Sequence, residues 1–136
     1  MKKGFTLFEL IIVVIIIGVL AGIGFSQYTK VVEKGITTEA FKILSQIRSA
    51  EAVYYVAKRT YLDVNDTNLG ISGIPYGTDG DCASTNDYFY FQYNLWSTNY
   101  IAAHRCVDSG KDPQGSKDCM IALNIQSGVV ESNTCK

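Results

Sequence analysis

The chain is short of the residues that catalytic and metal chemistry need. It has one histidine, His104, and no Cys-x-x-Cys pair. A zinc site of thiolates and imidazoles therefore lacks donors at usable spacing. There is no Walker motif and no G-x-G-x-x-G, so neither of the glycine-rich phosphate cradles is present. No nucleophile motif accompanies His104, which reads as a structural or surface residue. The chain is accordingly read as a non-enzyme with no cofactor and no metal centre. An excess of one charge is missing too. Twelve Lys and Arg balance thirteen Asp and Glu, a net charge of −1. That excludes a nucleic-acid surface built on bulk positive charge and leaves room only for a local basic groove. Asp79, Asp81 and Asp87 surround Cys82, but their spacing fails the EF-hand pattern, and the stretch reads as a solvated acidic loop.

What the chain does have is unevenly placed. Phe5 through Phe25 are 21 residues with one ionisable side chain, Glu9. As a helix this run would be about 31 Å long, close to the hydrocarbon thickness of a bilayer. Lys2 and Lys3 precede it, and no second run of this kind follows. Positive residues stay on the cytoplasmic side, which puts the N-terminus inside and the remainder outside. All four cysteines, Cys82, Cys106, Cys119 and Cys135, come after the run. An even count on the exported side predicts two disulfides in an oxidising compartment, with three pairings open.

Three readings of the apolar run compete. A secretory signal peptide would explain the charged start and would be cut at Gly22-Ile23-Gly24, before Phe25. The run is long for that, and an acid in its first third is out of place. A plain membrane anchor explains the length but not Glu9. An intramembrane acid costs free energy and marks function by default, although near the cytoplasmic end it can snorkel. The third reading uses every residue. KKGFTLFELIIVV closely resembles the N-terminal signature of type IV pilins and related pseudopilins: a short basic leader, a glycine, a phenylalanine, then Thr-Leu-x-Glu leading into an unbroken apolar helix.

The resemblance implies a set of roles. Prepilin peptidase would cut between Gly4 and Phe5 on the cytoplasmic face, and the new Phe5 amine would be N-methylated. The subunit would wait in the bacterial inner membrane and then pack into an extracellular filament of identical copies. Glu9 would lie opposite the Phe5 amine of a neighbouring copy, and an apolar core tolerates a carboxylate paired in this way. Extension would need assembly machinery, since this chain has no nucleotide site. One departure is Ser26, where the family often carries a proline. Gly18, Gly22 and Gly24 cluster nearby. They weaken the helix by about 1 kcal/mol each relative to alanine, or serve close packing as a small-x-x-x-small pattern.

After the run the pattern becomes amphipathic. Val32, Ile36, Ala40, Ile43, Ile47, Ala50, Tyr54 and Ala57 fall on one arc of a helix and should pack on a head. Phe41, Leu44 and Tyr55 lie to one side, as a widened core face or a contact with neighbours. Gly35 is a soft spot. One helix from Phe5 to about Ala57 is expected, near 80 Å if straight. TYLDVNDTNLGISGIPYGTDGDCASTND is turn-rich and irregular, and its first part resembles the pilin loop after the long helix. Strands are expected at about Tyr88–Leu95, Tyr100–Val107, Met120–Gln126 and Val129–Ser132. The first carries the aromatic cluster YFYFQYNLW, split between core filling and an exposed face.

A two-residue turn at Ser127-Gly128 would set Met120 opposite Cys135 and Cys119 opposite Lys136. Cys119 and Cys135 are then within one residue of register, and a bulge would alter it. Cys119–Cys135 is the expected pair, which leaves Cys82–Cys106. The resemblance agrees, because many pilins close a C-terminal disulfide loop near the end of the sheet.

The expected architecture is α+β: a leader at residues 1–4, a long helix at 5–57 with 5–25 as the membrane and assembly segment, and a disulfide-stapled head with a small antiparallel sheet at 58–136. The expected function is structural, as a pilus or pilus-like filament subunit serving adhesion, motility, DNA uptake or secretion. The alternatives are a minor pseudopilin of a type II secretion system and a membrane-anchored periplasmic binding module.

Overall fold

The computed structural model describes residues 4–77, 90–106 and 119–135. Its first element is a helix, α1, over Leu7–Lys58. The described residues also form four strands, β1 Phe91–Ser97, β2 Tyr100–Arg105, β3 Met120–Asn124 and β4 Val130–Asn133. They pair antiparallel as a meander in the order β1-β2-β3-β4. This is the α+β, pilin-like arrangement expected. The chain divides into two compact units, Met1–Lys34 and Gly35–Lys136.

In the first unit the helix has no core to pack on. From Leu7 through Tyr28 every residue is exposed. The second unit has a core of its own. Ala40, Leu44, Ile47 and Glu51 follow one another at spacings of four, three and four, and all four are fully buried. That spacing keeps them on one face of a helix. Leu44 belongs to the same buried cluster and Phe41 packs against it, so these two of the side patch widen the core face, while Tyr55 stacks on Tyr61 instead. Val32 and Ala57 are exposed; the stripe ends sooner at both ends than its period suggests.

The sheet offers the helix Phe91 and Tyr93 from β1, Ile101 and Ala103 from β2, and Ile121 and Leu123 from β3. Alternation sends Gln92, Asn94, Ala102 and Ala122 to the other face. These too are nearly inaccessible, so the inner part of the sheet is buried on both sides. One edge is partly covered. Tyr93 N–H donates to Pro75 O at 2.8 Å and Gly77 N–H to Tyr93 O at 3.3 Å, a short parallel bridge along β1. A Cβ on Gly77 would run into the end of the Gln92 side chain, which would have to shift.

The chain from helix to sheet is more ordered than its turn-rich sequence suggests. Val64 and Leu69 plug the core. Thr67–Leu69 forms a single 3-10 turn, capped by Asp66, whose side chain accepts from Asn68 N–H at 2.8 Å. Gly70 closes it at φ 73°.

The β3–β4 turn differs from the two-residue loop expected. β3 ends at Asn124, two residues before the expected Gln126, because the Asn124 side chain turns the backbone. Its Oδ1 accepts from Gln126 N–H and Ser127 N–H, both at 3.0 Å. Gly128 then takes a left-handed φ of 72°, and Asn124 N–H reaches Val129 O at 2.9 Å. The loop is longer, and a register shift follows between Leu123↔Val130 and Ala122↔Ser132.

Candidate functional site

The residues singled out at the N-terminus sit at the start of α1. Gly4, Phe5 and Thr6 precede the helix and are exposed, with Phe5 79% accessible. Nothing lies within 4 Å of where a Gly4 side chain would project. The Gly4–Phe5 peptide bond is thus in irregular, exposed backbone. Lys2 and Lys3 lie outside the described residues.

Glu9 is one turn in, and Thr6 holds it. Thr6 N–H and the Thr6 hydroxyl both donate to Glu9 Oε2 at 2.8 Å. Glu9 N–H donates back to Thr6 Oγ1 at 3.3 Å. This is a reciprocal capping box, and it satisfies amides that the first helical turn leaves without partners. Thr6 has no assigned role in the sequence reading. Its signal was the Thr-x-x-Glu spacing, which read as part of the resemblance rather than as a cap. Phe5 immediately precedes this cap, of which Glu9 is a member.

Behind the cap runs the apolar surface. The helix is long and apolar enough to cross a membrane, and none of its apolar window is buried within the molecule. So large an unpartnered apolar surface marks a contact with lipid or protein.

In the head, the sheet joins Cys119 to Cys135 by a disulfide. The register shift explains the fit. With Ile121 opposite Asn133 and Ala122 opposite Ser132, the ladder continues with Met120 facing Thr134 and Cys119 facing Cys135. Thr134 N–H donates to Met120 O at 3.0 Å, and the cysteine Cα atoms are 4.6 Å apart, as for directly opposed residues. Cys106 is fully buried and also disulfide-bonded; its expected partner Cys82 lies outside the described residues, as do Asp79, Asp81 and Asp87. His104 is half-buried and its Nε2 meets Asn94 Oδ1 at 3.1 Å, a structural setting. Among the described residues no three His, Cys, Asp or Glu side chains gather as a metal site would require. The aromatic cluster divides as strand alternation predicts. Phe91 and Tyr93 fill the core, while Trp96 is 53% exposed and meets Tyr100 edge-on at 6.4 Å.

Comparison with known proteins agrees with this geometry. Residues 1–25 match the family model of the prokaryotic N-terminal methylation motif. Over 80 residues the chain is 31% identical to the type IV major pilin protein PilE1 of Neisseria gonorrhoeae, covering 59% of this chain and 48% of that one. It is 42% identical over 57 residues to the fimbrial protein EcpC of Eikenella corrodens, covering 42% and 37%. A fimbrial protein of Moraxella nonliquefaciens is 35% identical over 66 residues, covering 48% and 43%. The chain thus spans about half the length, or less, of the curated relatives it matches. In its N-terminal motif and its α+β fold the chain is similar to the type IV pilins and fimbrial proteins.

Proposed function

We propose that the chain is a structural subunit of a type IV pilus or pilus-like filament. The observation that carries this reading is the pairing of a wholly unburied apolar stretch at the start of α1 with a carboxylate, Glu9, at its head. Such a surface is unstable in water and needs lipid first and other copies of itself later. Prepilin peptidase cuts between Gly4 and Phe5, and Phe5 is N-methylated. The inner membrane holds the 5–25 segment of the 5–57 helix, and assembly machinery draws the subunit into an extracellular filament.

Glu9 has an assembly role in this reading. Cleavage leaves a positive amine on Phe5, with an ordinary pKa near 8. In the filament the carboxylate faces that amine on a neighbouring copy. Pairing removes the cost of a lone charge in an apolar core and selects one axial register over sliding. The head, residues 58–136, is stapled by Cys119–Cys135 and by Cys82–Cys106.

The first test is the mass of the N-terminal peptide of protein from its native cells. The expected peptide starts at Phe5 and carries one extra methyl group. A start at Met1 would indicate a plain membrane anchor, and a start at Phe25 a secreted domain; either would overturn the proposal. The second test is Glu9→Ala. The variant should remain in the membrane while filament yield falls at least tenfold, scored by electron microscopy of sheared cell surfaces. Normal filaments would remove the role given to Glu9.

A further inference from the structure

A groove of about 200 Å³ opens in the head, where the end of α1 and the chain just after it meet the β1–β2 turn. Tyr55, Arg59, Tyr61, Leu95, Thr98 and Asn99 line it. At ~30 Å³ per water it holds roughly seven waters, the space of a single sugar ring. Its chemistry is mixed in an informative way. Leu95 and the stacked pair Tyr55 and Tyr61, with ring centroids 4.7 Å apart, give an apolar wall. Thr98 and Asn99 are exposed at the turn, where a hydroxyl and an amide present both donors and acceptors. The Arg59 guanidinium stands 6.0 Å from the Tyr55 ring centroid. Among the described residues no carboxylate pairs with it, so its donor fork is open to the groove.

Arg59 is also the one described non-glycine residue with a positive φ, at 59°. It occupies the position just past the helix end where glycine is usual, and its N–H closes the helix on Tyr55 O at 2.9 Å. An arginine held in a conformation suited to glycine points to a use for its side chain.

We propose that this groove binds a carboxylated sugar unit. The guanidinium takes the carboxylate in a two-pronged hydrogen bond, the geometry in which arginine differs from lysine. The tyrosines and Leu95 take the C–H face of the ring, and Thr98 and Asn99 take its hydroxyls. The site stands on the head alone and does not depend on assembly.

The test uses the full chain, isotope-labelled in detergent micelles, titrated with glucuronate and with glucose and acetate as controls. Glucuronate should shift the amide resonances of Arg59, Tyr61, Leu95 and Asn99 saturably, with glucose and acetate at least tenfold weaker. Arg59→Gly should keep the remaining spectrum, since glycine adopts this φ freely, and lose at least tenfold in glucuronate affinity. Asn99→Ala, at an exposed position, should weaken binding as well. An equal response to acetate would make the groove a bare anion site and overturn the proposal. So would an equal response to glucose, unchanged binding by Arg59→Gly, or no response at all.

Discussion

Glu51 is the last fully buried residue of the helix face, at a position where the period calls for an apolar side chain. Its Oε2 accepts from Leu62 N–H at 3.1 Å, while Oε1 is buried without a partner. The carboxylate therefore ties the chain after the helix back onto it. Burial pushes its pKa above the ordinary 4.5, the Leu62 N–H opposes that, and the Asp63 charge adds to it. A carboxylate whose folded pKa is raised binds its proton more tightly in the folded state. Its contribution is then fully present below the unfolded pKa and is lost as pH rises through the folded value. Glu51→Gln keeps an oxygen for Leu62 N–H and removes the charge. It should flatten the fall of Tm as pH rises from the ordinary 4.5 through the raised folded value, and at neutral pH it should stabilise by about 1 kcal/mol. Glu51→Leu leaves the Leu62 N–H unpaired and should cost about 1–3 kcal/mol relative to Gln. Thermal melts of the three proteins across that pH range check both statements. Arg59 carries the other residue-scale prediction. Left-handed backbone costs a side-chain-bearing residue about 1–2 kcal/mol, against about 0.5–1 kcal/mol for its exposed contact with Tyr55. Arg59→Gly should raise Tm by about 3 °C; a fall would mean that the ring contact outweighs the strain.

At the scale of elements, two ties hold helix to sheet and strand to strand. Arg48 on α1 donates from Nε to Ile125 O at 2.7 Å and from Nη2 to Gln126 O at 3.0 Å. It thereby fixes the turn that sets the β3–β4 register. Arg48→Met keeps most of the stem and removes both bonds, and should cost about 1.5–3 kcal/mol in denaturant melts. The Cys119–Cys135 disulfide, with a sequence separation of 16, constrains the unfolded chain. Replacing both cysteines by serine should cost about 3 kcal/mol and lower Tm by about 10 °C.

These ties also mark where the sequence was readable. The long helix, the small antiparallel sheet and the Cys119–Cys135 pair follow from periodicity, turn residues and the resemblance, because each is a local pattern or a short-range closure. The β3–β4 loop was misread by two residues because an asparagine side chain, not the glycine alone, sets where β3 ends. The resulting bulge moved the cysteines from near register into register. At the candidate assembly site the glycine, phenylalanine and glutamate were legible as a motif, but the Thr6 cap was not separated from it. Glu51, Arg48 and the groove were invisible. A charged residue inside a stripe reads as an interruption until its partner's backbone is placed, and that partner is eleven residues away for Glu51 and over seventy for Arg48.

For the molecule as a whole, the decisive fact is where burial is found. Every buried residue among those described, from Ala40 onward, lies in the unit Gly35–Lys136. The described residues of the unit Met1–Lys34 contribute surface and no core. The buried core and the unpartnered apolar surface thus belong to different stretches of one chain. The head's core and its disulfides set stability, and the apolar half of the helix sets what the head is carried on. A chain starting at Gly35 loses about half of α1, and it loses no core contact. It should be monomeric in buffer without detergent, unfold in one cooperative step, and melt within about 3 °C of the full chain in micelles, because helical stability in proteins comes chiefly from tertiary packing of the buried face. Gel filtration and near-ultraviolet circular dichroism on the two proteins make the comparison. A truncated chain that keeps helical signal but loses fixed aromatic signals would show that the head needs the first unit to fold, and would end this division of labour.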